Sequence, residues 1–98
     1  MKEDISDAQA QKLYAAILKL KNTDECHAFF DDLGTLAEIK ALSQRFHVAE
    51  LLSKGVNYGA IEHETGASTA TISRVKKCLF HGAGGYKTVL ERLKEDAK

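Results

Sequence analysis

The sequence predicts an all-α fold, and three observations carry that expectation. No proline occurs in the 98 residues, so nothing forces a helix to kink or stop. Apolar residues recur three and four positions apart along several stretches, which is the spacing of one helical face. No stretch shows the strict alternation of a half-buried strand, and no repeat or low-complexity linker interrupts the chain. At this length one small domain over residues 1–98 is expected, because single cores belong to chains of roughly 50 to 200 residues.

Composition narrows the function classes. The 44% apolar and 29% charged content is that of a globular chain, and 14 Lys plus Arg balance 14 Asp plus Glu, so no net field draws the whole protein to a polyanion. Any such partner must meet a local patch. The longest apolar run, Tyr14 to Leu18, is far below the ~20 residues of a membrane span. Glu3, Asp4 and Asp7 stand where a secretory leader would be basic, so a cytoplasmic location with no membrane partner is expected. Cys26 and Cys78 have no neighbouring cysteine and read as reduced, buried structural thiols. His27, His47, His63 and His81 are equally scattered, which gives no metal-ligand spacing. No nucleophile, base and orienter stand together, so neither an enzyme nor a cofactor is expected.

The first helix is expected from about Asp7 to Lys21, opened by Ser6 and Gln9 at capping-box spacing and carrying Ala10, Leu13, Ile17 and Leu20. Thr23, followed by Asp24 and Glu25, opens a short second helix that buries Phe29, Phe30 and Leu33 and stops at Gly34. Thr35 and Glu38 repeat the capping box. The longest helix follows, with a stripe of Leu36, Ile39, Leu42, Phe46, Ala49 and Leu52 closing at Gly55. A brief helix from Asn57 holds Ile61 inward and ends at Gly66, and another from Thr69 holds Ile72, Val75 and Leu79 inward. The glycine-rich segment His81 to Gly85 breaks that helix, and Val89, Leu90 and Leu93 form a last amphipathic one.

Two helices joined by the tight turn Gly66-Ala67-Ser68 have helix-turn-helix spacing over about residues 57–80, a motif whose second helix presents its N-terminal residues to base edges. Ile61, Ala67, Ile72 and Val75 are the positions that pack such a pair together, whereas Glu62 and Thr65 stand where small or apolar residues are commoner. An ordinary helical hairpin fits the same pattern. Charge placement favours DNA. Residues 1–38 hold eight acids and four lysines, while residues 65–90 hold Arg74, Lys76, Lys77 and Lys87 and no acid. Cations gathered on one surface are what phosphate binding requires.

With Ile72, Val75 and Leu79 inward, the ~100° step per residue turns Ala70, Ser73, Arg74 and Lys77 outward. The first turn, Ser68-Thr69-Ala70-Thr71, contains no acid and leaves its backbone N–H groups for phosphate. Short side chains near base edges, followed by long cationic ones, suit a helix entering the major groove tip-first. The alternative is a dimeric helical interaction module that does not bind DNA in a sequence-specific way.

From Leu36 to Leu79, and above all across Thr65-Gly66-Ala67-Ser68-Thr69-Ala70-Thr71-Ile72-Ser73-Arg74, the sequence resembles the Trp repressor family. Gly84-Gly85-Tyr86 is similar to a signature of that family's YerC/YecD-type branch. The resemblance implies an intertwined homodimer whose paired helix-turn-helix units face successive major grooves of double-stranded DNA, as in a transcriptional repressor. Thr69, Ala70 and Thr71 match operator-reading positions, and Ser73 matches a phosphate contact. Arg74 matches the arginine that meets a corepressor carboxylate, and Thr35 and Arg45 match the other ligand-binding positions. Val75 stands where the repressor has glycine, and its branched side chain would occupy space against an indole. Cys78 replaces a serine near the ligand's amino group. These departures count against tryptophan sensing and leave DNA binding untouched.

The remaining residues read more plainly. Phe29, Phe30 and Phe46 lie on helical stripes and fit core or dimer packing better than base stacking. His63, Lys87 and Arg92 read as solvated.

Overall fold

The computed structural model describes residues 5–97, with side chains from Asp7 onward; Glu3 and Asp4 lie outside them. The described residues form six α-helices and no strand: α1 (Ile5–Ile17), α2 (Thr23–Leu33), α3 (Leu36–Ser53), α4 (Tyr58–Thr65), α5 (Thr69–His81) and α6 (Gly85–Asp96). The chain divides into two compact units, Met1–Ile39 and Lys40–Lys98.

In the first unit, the start of α1 differs from the expectation: Ser6 is a residue inside the helix and not its cap. The helix also ends four residues before Lys21, tightening through Lys19 N–H to Ala16 O and Leu20 N–H to Ile17 O. The physical reason lies in the next helix. Asn22, and not Thr23, is the N-cap of α2, and its side chain accepts from the Glu25 N–H at 2.9 Å. Glu25 Oε1 in turn accepts from the Lys21 N–H at 2.9 Å. Residue 21 therefore serves the second helix's cap and leaves the first.

Helix α2 stops at Gly34, whose N–H donates to Phe30 O. Phe29 and Phe30 meet edge to face with centroids 5.5 Å apart and are half-buried, but Leu33 is exposed, so the helix buries no residue fully within the chain. The Thr35–Glu38 capping box forms as read. Thr35 N–H donates to Glu38 Oε1 at 2.8 Å and Glu38 N–H donates to Thr35 Oγ1 at 3.1 Å.

The second unit holds the buried core. Val48, Ala49 and Leu51 of α3 pack with Ile61 of α4, Ala67 of the turn and Ile72 and Val75 of α5, and Leu52, Val56, Tyr58 and Tyr86 cover them. This corrects the α3 stripe: Ala49 is buried as expected, but Val48 and Leu51 are its buried companions, Ile39, Phe46 and Leu52 are half-buried, and Leu36 and Leu42 are exposed. Helix α3 is apolar on more than one side, and a periodic stripe does not say which side the chain itself covers. Leu36 remains 71% exposed and Leu18, after α1, 83%.

At the junction of α5 and α6 the chain turns through Gly82, where a Cβ would fall 2.3 Å from Cys78 O. Only glycine permits that approach without a backbone shift. Cys26 and Cys78 are free thiols, but Cys78 is exposed and Cys26 half-buried, which corrects the expectation that both are buried. Among the described residues no helix is long and apolar enough to cross a membrane.

Candidate nucleic-acid interface

The candidate interface is built by two caps and a turn. Asn57 caps α4 by accepting from the Ala60 N–H at 2.9 Å. Gly66 then ends α4 in the left-handed region at φ +73°, its N–H donating to Glu62 O, a conformation in which a side chain is strained. Ala67 is buried, and Ser68 caps α5 by accepting from the Thr71 N–H at 3.1 Å. Three residues thus reverse the chain, and Ile61, Ala67, Ile72 and Val75 lock the two helices as the spacing predicts.

Thr65, out of place by composition, has a structural use. Its hydroxyl donates to Ile61 O at 2.7 Å and accepts from the Ala67 N–H at 3.1 Å. A threonine that bonds back four residues helps end a helix while satisfying the turn's first buried N–H. From α3, Gln44 Nε2 donates to Thr65 O at 3.1 Å, a contact that local spacing does not reveal.

The expected reading surface occupies the start of α5. Ser68, Thr69 and Ala70 are exposed, Thr71 is half-buried, and Ser73, Arg74 and Lys77 are exposed. Ser68 Oγ donates to Thr71 Oγ1 at 3.1 Å, so the half-buried Thr71 supports the cap with its hydroxyl as well as its N–H. Lys76 Nζ lies 5.6 Å from the Tyr58 ring centroid, which engages that cation with α4. Arg74 and Lys77 carry the other positive charges of the helix.

Two features qualify the acid-free first turn. Ser68 already takes the Thr71 N–H, so not every N–H there is left for phosphate. Glu62, reaching from α4, accepts a hydrogen bond from the Thr69 hydroxyl. An acid therefore stands beside the tip of α5 although none lies within its first turn.

The three expected ligand positions fall in different units. Thr35 belongs to the first unit, where both its N–H and its hydroxyl serve the Glu38 capping box. Arg45 is half-buried and Arg74 exposed in the second unit. Val75 is buried in the core between α3, α4 and α5. Near these elements, His47 Nε2 lies 3.4 Å from Glu64 Oε2. The described residues contain no group of His, Cys, Asp and Glu placed to hold a metal ion.

Known proteins match most of the chain. The sequence profile of the family described as Trp repressor protein matches residues 8–94. The uncharacterised protein YerC of Bacillus subtilis (strain 168) is 53% identical over 87 residues, covering 89% of this chain and 84% of that protein. Among solved structures, a protein of Staphylococcus aureus put forward as a Trp repressor superposes with a TM-score of 0.85 at 50% identity, covering 89% of this chain and 87% of the other. A TrpR-like protein of Eubacterium eligens ATCC 27750 gives 0.86 at 49% identity, covering 89% and 90%. The match spans both the first two helices and the helix-turn-helix, and the chain belongs to the Trp repressor family.

Proposed function

We propose that this chain is a single DNA-binding domain that acts as a cytoplasmic homodimer, a sequence-specific transcriptional regulator repressing from a two-fold symmetric operator. The observation that carries the reading is the tip of α5: Thr69 and Ala70 are exposed on a helix locked by the Gly66-Ala67-Ser68 turn, and the cations Arg74 and Lys77 follow on the exposed side. Ser68, Thr69, Ala70 and Thr71 set sequence preference in this reading, while Ser73, Arg74 and Lys77 meet phosphate.

Exposed apolar side chains support the dimer. Tyr14, Leu33, Leu36 and Leu42 each leave half or more of their surface uncovered, and apolar area of that kind is stabilised by a second copy. Any ligand held by Thr35, Arg45 and Arg74 is a small carboxylate other than tryptophan, because Val75 fills space where the family's tryptophan binders have glycine.

Duplex binding by purified full-length dimer, titrated with salt and with heparin as competitor, tests the reading. A regulator keeps a sequence-dependent component of affinity as salt rises. Affinity that vanishes equally on all duplexes, or a monodisperse monomer at micromolar concentration in sedimentation, contradicts it.

A further inference from the structure

Beside the expected readers stands a carboxylate for which the fold has no evident need. Glu62 is exposed on α4, seven residues before Thr69, and the turn brings the two side chains into hydrogen-bonding contact. A threonine hydroxyl owns one proton and two lone pairs, whereas a carboxylate can only accept. The proton in this contact is therefore Thr69's, and the hydroxyl that α5 presents at its tip is left with acceptor capacity alone.

We infer that Glu62 is a specificity-determining residue, which sets the polarity of Thr69 and makes that position select a base bearing an exocyclic amino group. The inference rests on the proposed DNA-reading role of α5. In the major groove adenine N6 and cytosine N4 are donors, while guanine O6 and N7 and thymine O4 are acceptors. Every base pair contains one amino-bearing member on this edge, so the choice concerns which strand carries it at the position Thr69 faces. An acceptor-only hydroxyl beside a carboxylate favours adenine or cytosine there and disfavours guanine or thymine. A free threonine hydroxyl rotates to donate or to accept and makes no such choice. The carboxylate's charge also lowers affinity for arbitrary duplex, since it opposes the phosphates that Arg74 and Lys77 attract.

Selection of bound sequences from a random duplex pool, run in parallel on the full-length wild type, Glu62→Gln and Glu62→Ala, tests this. The wild type is expected to enrich a symmetric site with adenine or cytosine over guanine or thymine at one position of each half-site, by roughly fivefold or more. Glu62→Gln, whose amide either accepts the Thr69 proton or donates to its oxygen, weakens the preference without abolishing it and binds arbitrary duplex more tightly. Glu62→Ala also binds arbitrary duplex more tightly but loses the preference at that one position. Glu62 is an exposed helix residue, and circular dichroism and sedimentation matched to wild type establish that both variants are folded. A wild type that enriches a symmetric site, with Glu62→Ala enriching the identical site at unchanged discrimination, overturns the role of Glu62 alone. A wild type that enriches no symmetric site overturns the DNA-reading role itself.

Discussion

Gln44 reaches from α3 to the end of α4, where its Nε2 donates to the Thr65 carbonyl at 3.1 Å. The last carbonyls of a helix lack intrahelical partners, and this one lies at the turn that sets the angle of α5. A part-buried side-chain hydrogen bond contributes about 1 kcal/mol, with a further cost where the partner is left unsatisfied. Gln44→Ala is therefore expected to lower unfolding free energy by roughly 1–2 kcal/mol. Urea denaturation of the wild type and variant measures it; an unchanged midpoint and slope contradict the assigned role.

The Thr35–Glu38 capping box makes a pH prediction. The Thr35 backbone N–H, and secondarily its hydroxyl, holds the Glu38 carboxyl below its ordinary value of 4.5. A carboxyl whose folded value is depressed stabilises the fold fully above its unfolded value and loses that contribution as pH falls through the folded one. The N-terminus of α3 is expected to hold above about pH 4.5 and to loosen only below it. A carbon-detected NMR titration of the Glu38 carboxyl reads this directly, and a midpoint at or above the ordinary value contradicts the capping geometry.

Val75 connects the ligand question to the core. Its side chain is buried among Val48, Ala49, Ile61 and Ile72. Val75→Gly thus removes packing and places glycine inside α5, at a combined cost of about 3 kcal/mol. The wild type is expected to show no micromolar heat of binding with L-tryptophan in calorimetry. Micromolar binding that shifts DNA affinity would mean that Val75 does not exclude the indole.

Lys77 and Thr71 separate phosphate contact from base reading. Lys77→Ala is expected to weaken binding about equally on all duplexes and to reduce the salt slope by roughly one. Thr71→Ala is expected to change which sequences are preferred. Because Thr71 also bonds Ser68, its helix content must be checked by circular dichroism alongside the binding titrations. Sequence-dependent loss from Lys77→Ala, with an unchanged salt slope, contradicts the division of roles.

The helix-turn-helix was legible because its determinants are local. Asn57, Gly66 and Ser68 punctuate the chain within a few residues of what they cap, and Ile61, Ala67, Ile72 and Val75 then follow helical phase. The Thr35–Glu38 box was legible for the same reason. The end of α1 was not, since Asn22 and Thr23 both cap well and only the reciprocal Lys21–Glu25 bond decides between them. The burial of Val48 and Leu51 is not legible locally, because α3 carries apolar residues on several sides and burial chooses among them only when neighbouring helices are in place. The Glu62–Thr69 pair joins residues on two helices across a turn. No periodicity rule links positions seven apart when the helix is broken between them.

Beside the direct contact assigned to Thr69, part of the readout at a tip of short side chains passes through water and duplex shape. The central claim is nevertheless that the dimer reads sequence. Genomic selection of duplex fragments bound by the purified full-length protein tests it most directly. The account predicts an enriched two-fold symmetric sequence with half-sites about one helical turn apart, roughly 34–36 Å, whose enrichment falls when the Thr69 and Thr71 hydroxyls are removed. A selected pool with no symmetric sequence, or one that the loss of both hydroxyls leaves unchanged, would contradict it and leave a dimeric interaction module in its place.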